Sequence, residues 1–233
     1  PWYLLSMLLL AGAGYRVFAH GGDGHTAGRL YTEQAMLELG LPVADSWKMV
    51  AHQLDKENLS YLPLRAFCPR LHDIMQLRHL LGLRSPVNTL VRMLNPLRAP
   101  ASIQSIFHPA YGSLHRDADR ILQQPRSLVF KGDSGEVEVK PQADTRLLIL
   151  ENANERELLL PRTLSTKVAA VDQPLSGPLK TLWQSTSEDT YGCDAVIATT
   201  VAALVCLEPD WDLQRCQQYS RDLWHNRDRE RLR

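Results

Sequence analysis

The chain has 233 residues, with 26 Lys and Arg against 26 Asp and Glu, so it carries no formal net charge at neutral pH. An apolar share of 44% is that of an ordinary globular domain, which excludes a largely disordered chain and leaves enough apolar surface for a substantial core. Neutrality also excludes a surface coated in basic charge, so a polyanion would have to be met by a local patch.

The elements are predicted in chain order as follows. Trp2 to Ala13 is a mostly apolar helix. The opening PWYLLSMLLLAGAGYRVFAHGG imitates a signal peptide in its apolar run and small residues, but it has neither an initiator Met nor a basic leading region, and a buried helix is the preferred reading. At about a dozen residues the run is too short to span a bilayer. The missing Met suggests a chain without its natural N-terminus. Tyr15 to Ala19 is a short buried strand, followed by the turn His20-Gly21-Gly22-Asp23-Gly24. A helix over Arg29 to Leu39 stops at Gly40, with Pro42 beyond it. Asp45-Ser46 caps a helix running to about Lys56, and Leu59 to Phe67 is a further strand.

After a cationic stretch come a strand over Ile103 to Phe107, a helix over Pro109 to Gln123 and a strand over Ser127 to Lys131, an order that favours a parallel sheet. GEVEVKP, TRLLILEN and ERELLLP then alternate as edge strands, with ends marked by Pro141 and Pro161. Three helices close the chain: Leu179 to Ser187, Asp194 to Leu207, and Trp211 to Arg233. Cys68, Cys193, Cys206 and Cys216 lack C-x-x-C spacing, so neither a zinc site nor a disulfide framework is indicated, and a reducing cytoplasmic setting fits.

The stretch FCPRLHDIMQLRHLLGLRSPVNTLVRMLNP carries the strongest chemical signal. Arg70, His72, Arg78, His79, Arg84 and Arg92 stand there against a single acid, Asp73. Guanidinium groups grip carboxylates or phosphates through paired hydrogen bonds, so the cluster points to an anion; taken singly, each Arg is as well explained as a solvated helix face. The glycine turn at His20 lies where a strand's carboxyl end meets a helix, a favourable place for an anion, although its spacing is neither a dinucleotide fingerprint nor a phosphate loop and Asp23 opposes an anion there. The bland alternative is a tight turn with an exposed His. Glu136 and Glu138 straddle Val137 and could face one metal, but a hairpin with two solvated Glu residues is preferred. Asp117 and Asp119 beside Arg116 and Arg120 look like ordinary surface pairing on a helix.

Three segments carry a resemblance to glycosyl transferase family 3, whose best-known member is anthranilate phosphoribosyltransferase. AHGGDGHTAGRLYTEQAMLELGL resembles the family's K-H-G-N-R loop and its helix. The cationic stretch resembles F-A-P-x-x-H-P-A-M with V-R-x-x-L-G-x-R-T-x-x-N-x-L-x-P-x-x-N-P, and FKGDSGEVEV resembles H-G-x-D-G-L-D-E. The resemblance implies an α/β fold with a mixed, mainly parallel sheet flanked by helices, in which two short helices within 70–96 belong to a small helical domain. It implies a cleft between the two, with His20, Gly21, His72, Arg78, Arg84 and Asn88 on the anion or substrate.

Departures from the pattern imply a changed function. The diphosphate-binding G-T-G-G-D motif does not occur, and the chain corresponds to about the last two-thirds of a member, so the N-terminal helical domain is expected to be absent. Ala19 stands where the family has Lys, Gly22-Asp23 replace Asn-Arg, and the metal-binding Asp-Glu pair becomes Val137-Glu138, so no magnesium or other cofactor is expected. PLRAFCPRL, LGLRSPVNTL and KGDSGEVEVKPQ resemble a divergent subgroup associated with nucleic-acid binding. The implied partner is single- or double-stranded nucleic acid, held without sequence preference on a phosphate track of Arg65, Arg70, Arg78, Arg84, Arg92 and Arg98. A homodimer is implied for the intact protein, and no membrane. The alternatives are an active phosphoribosyl or pentosyl transferase with an unidentified aromatic or nucleobase acceptor, and a structural remnant whose cationic helix packs on a partner subunit.

Overall fold

In the computed structural model the described residues are 1–23, 30–82, 86–165, 176–186 and 188–232. The expected positions Gly24, Arg29, Arg84, Ser187 and Arg233 lie outside them. The fold is α/β, with mixed sheets flanked by helices. Strand β1 (Val17–Gly21) pairs in parallel with β2 (Leu59–Pro63), and between them run α2 (Thr32–Glu38) and α3 (Trp47–Glu57). A second sheet has the order β3 (Ala101–Ile106), β4 (Arg126–Lys131), β5 (Thr145–Glu151) and β6 (Asn154–Leu160). Its first pair is parallel and the next two are antiparallel.

Helix α1 (Tyr3–Gly12) is apolar almost all round, and such a helix is stable only when it is enclosed. It packs with Tyr61, Trp183 and Val196 in one buried cluster, and the Ser6 hydroxyl donates to the Val196 carbonyl at 2.9 Å. Val196 belongs to α10 (Thr190–Leu207), which Asp189 caps by accepting from the Gly192 amide at 2.7 Å. By length and composition α10 could cross a membrane, yet 67% of its apolar window is buried inside this fold, as in a core helix. Two further helices, α9 (Gly177–Trp183) and α11 (Leu213–His225), flank it. The predicted start of the α3 helix is observed, with Ser46 accepting from the Met49 amide.

Three sequence expectations are corrected. The strand predicted to run to Phe67 ends at Pro63, whose missing N–H stops the ladder, and Leu64–Phe67 forms a helical turn, α4. GEVEVKP is no edge strand: Asp133–Gly135 is a 3₁₀ turn, and the residues after it run outside both ladders. Nor is Glu138 solvated. It is 6% exposed, and its carboxylate accepts from the Tyr3 amide at 3.1 Å, where the unpaired N–H groups of α1 attract negative charge.

The connection from β2 to β3 is helical: α5 (Pro69–Gln76), α6 (Arg78–Leu81), α7 (Val87–Leu90) and a 3₁₀ turn at Val91–Met93. Helix α8 (Gly112–Ile121) follows β3.

Burial pushes the Glu138 carboxyl up from 4.5 to about 6, against the amides that favour its charge. The folded value exceeds the unfolded one, so the stability that this group contributes is complete below 4.5 and is lost as the pH rises through about 6. Glu138→Gln is therefore expected to match the parent protein near pH 4 and to exceed it near pH 7 by on the order of 2 kcal/mol in urea unfolding.

Candidate functional site

The carboxyl ends of β1, β2, β3 and β4 meet the helical connection, the place where open α/β sheets bind ligands. At the end of β1, His20 turns inward. Its Nε2 is 2.9 Å from the Leu94 carbonyl, to which it donates, and its ring meets Phe67 edge-on at 5.5 Å. Burial lowers its pKa, so the ring is neutral. His20 therefore anchors the end of the helical connection. Gly21 and Gly22 serve close packing: a Cβ would lie 3.0 Å from the Tyr61 hydroxyl at the first and 2.9 Å from the Met75 methyl at the second.

The next residue, Asp23, is the hub. Its Oδ1 accepts from Arg65 Nη1 at 2.9 Å and its Oδ2 from His72 Nε2 at 2.8 Å. Arg65 also donates to both carboxylate oxygens of Glu33 on α2, at 2.7 Å for Nη1. His72 Nδ1 lies 3.3 Å from Asp73. The Asp23 hydrogen bond raises the His72 pKa, over the opposing effect of burial. Burial would raise the Asp23 carboxyl, but His72 and Arg65 together hold it below its ordinary value. Each group thus favours the charged form of the other.

The remaining expected residues divide. Arg78 on α6 and Asn88 on α7 are half-buried. Arg70, His79 and Arg98 are exposed and in no ion pair among the described residues. Arg92 does not join a surface track. Its Nη1 donates to the carbonyls of Ser105 on β3 at 3.0 Å and of Gly135, in the turn after β4, at 2.5 Å. Asn95 closes its own turn, donating to the Ala99 carbonyl and accepting from the Ala99 amide, both at 2.8 Å.

Sequence reasoning missed two features. Asp119 is no surface partner: it is buried, and both of its oxygens accept from Gln104 Nε2 at 2.8 and 3.0 Å. Gln104 Oε1 lies 2.9 Å from His115 Nδ1, completing a buried chain of polar groups under β3. The spacing of Gly112, His115 and Asp119 along one helix face was the available signal. At the end of β3, Phe107, His108 and Tyr111 are exposed, with ring centroids 4.8 and 6.3 Å apart in succession. Exposed Lys131 lies one position before them on β4, in register with Ile106. No group of three or more His, Cys, Asp or Glu placed to hold a metal occurs among the described residues.

The raised His72 pKa depends on Asp23, so the stability from His72 is complete below 6.5 and is lost as the pH rises through its folded value. An NMR titration of the imidazole is expected to give a midpoint above 6.5 in the parent protein and a lower one in Asp23→Asn.

Residues 4–213 match the family model "Glycosyl transferase family, a/b domain". Similar curated proteins include an anthranilate phosphoribosyltransferase of Oleidesulfovibrio alaskensis, 29% identical over 155 residues, covering 65% of this chain and 45% of that protein. The uncharacterized protein YbiB of Escherichia coli is 26% identical over 157 residues, covering 66% and 48%. The chain thus spans about half the length of these relatives, or less. Among solved structures, the anthranilate phosphoribosyltransferase of Thermus thermophilus superposes with a TM-score of 0.74 at 20% identity, covering 96% of this chain and 68% of that one. The Saccharomyces cerevisiae enzyme gives 0.73 at 14% identity, covering 95% and 64%. At these identities the superpositions show the fold.

Proposed function

The chain belongs to the glycosyl transferase family through its α/β domain, and on that footing we propose that it is a nucleic-acid-binding relative of anthranilate phosphoribosyltransferase whose phosphoribosyl diphosphate and magnesium site has decayed. The charge of the helical connection supports this reading. Between Leu64 and Pro100 stand Arg65, Arg70, Arg78, Arg84, Arg92 and Arg98 with His72 and His79, and Asp73 is the one carboxylate. Arg70, His79 and Arg98 offer exposed charge for backbone phosphates, and that contact is independent of sequence and weakened by salt. The rings of Phe107, His108 and Tyr111 offer faces on which unpaired bases stack, worth about 1–3 kcal/mol per base.

Two groups that would serve a sugar diphosphate are engaged internally. His20 holds Leu94, and Glu138 is sealed against α1. A transition state rich in negative charge needs preorganised cations and a metal, and these residues supply neither in their present contacts. The reading places the intact protein in the cytoplasm as a homodimer.

A working transferase is the second reading, favoured by the activity named for several of the relatives. The two separate by experiment. Binding to mixed-sequence DNA is expected to weaken by at least tenfold between about 50 and 200 mM salt, and Arg70→Ala and Arg98→Ala are each expected to reduce the log–log salt slope by about one. Diphosphate release from phosphoribosyl diphosphate and magnesium, with no salt-dependent DNA binding, would overturn the proposal.

A further inference from the structure

Arg65 and His72 share one carboxylate, Asp23, that sits on the loop directly after β1. We propose that Arg65 and His72 form a seat for the two terminal oxygens of a phosphodiester, and that Asp23 is a resident anion which the phosphate displaces. The ligand class rests on the nucleic-acid reading above.

The geometry separates what is fixed from what is exchangeable. Glu33 grips Arg65 through both of its oxygens and both terminal nitrogens, so the guanidinium stays oriented when Asp23 leaves. Asp23 touches Arg65 through one oxygen and His72 through the other, and so bridges two donors on different elements. A phosphodiester presents two terminal oxygens in the same divergent manner.

Exposure decides whether the bridge is there for stability. The Asp23 side chain is 39% exposed and that of Arg65 is 45% exposed. A solvated pair of this kind adds little to a fold, so the contact is cheap to open. It lies at the carboxyl ends of β1 and β2, and exposed Arg70 stands on the same helix as His72, α5. Asp73, the other acid near His72, makes no ion pair with Arg65 and does not bridge the two donors.

The test uses Asp23→Asn, which keeps shape and removes charge, with Asp73→Asn as an equal loss of charge from the same neighbourhood and Asp23→Asn/Arg65→Ala as the coupled variant. Fluorescence anisotropy with a mixed-sequence single-stranded oligonucleotide, read across the same salt range, should show Asp23→Asn binding about two- to fivefold tighter. Its salt slope should steepen by about one, the signature of an added phosphate contact. Asp73→Asn should change affinity less than twofold, and the coupled variant should lose the gain. The His72 imidazole resonances of Asp23→Asn should also respond to inorganic phosphate.

An equal gain in Asp73→Asn, or an unchanged slope in Asp23→Asn while the parent protein binds the oligonucleotide, overturns the seat and leaves the nucleic-acid reading standing. If no variant binds the oligonucleotide while inorganic phosphate shifts His72 in Asp23→Asn, the nucleic-acid reading fails and the seat stands. If Asp23→Asn binds neither, the seat is overturned.

Discussion

Two hydrogen-bonded staples hold the cationic connection to the α/β body, and the whole rim depends on them. Arg92 reaches across to the carbonyls of Ser105 on β3 and Gly135 after β4, and two residues further on the Leu94 carbonyl takes the proton of His20 from the end of β1. A guanidinium has donors to spare for one carbonyl on a strand and one in a turn, which a Lys ammonium would not hold in so fixed a fork. Gly135 is the enabling residue: its φ of +80° excludes most side chains, and a Cβ there would stand 3.3 Å from the Arg92 nitrogen. The staples hold the helix that carries Arg70 and His72 near the carboxyl ends of β1 and β2, beside the Asp23 bridge, whereas exposed Arg98 stands at the amino end of β3.

Two internal carboxylates occupy places that attract anions, and they differ in kind. Glu138 is buried against the first amides of α1, and a buried charge is retained only when its partners are in place, so it belongs to the fold. Asp23 faces solvent between Arg65 and His72, where water can replace either partner at little cost. The same chemistry therefore closes one site permanently and leaves the other open to exchange.

Local pattern made much of the fold legible. The apolar run of α1, the Ser46 cap of α3 and the strand-helix-strand order around α8 were read correctly because each is decided by neighbours a few residues apart. The overrun of β2 is local, since Pro63 ends the ladder, while the errors at Glu138 and Asp119 come from tertiary contact overriding local pattern. Glu138 alternates like a solvated strand residue until α1 presents its amides, 135 positions away in sequence. Asp119 reads as a surface partner of nearby Arg residues until Gln104 on β3 offers its amide. At the site, the cationic stretch was visible from composition, and only the folded chain shows which guanidinium groups spend their donors internally, as Arg65 and Arg92 do.

On the proposed nucleic-acid reading, neutral net charge constrains how the protein would hold a polyanion. With equal numbers of acidic and basic residues, long-range attraction is weak, and binding would rest on the few cations that the fold leaves exposed. Each contact releases counterions, so a small number of phosphates yields modest affinity with a shallow dependence on salt compared with a wholly basic binder. On the same reading, stacking on the exposed rings of Phe107, His108 and Tyr111 would add attraction that salt does not screen, and it would favour strands whose bases are already unpaired, because a duplex keeps its base faces stacked inside.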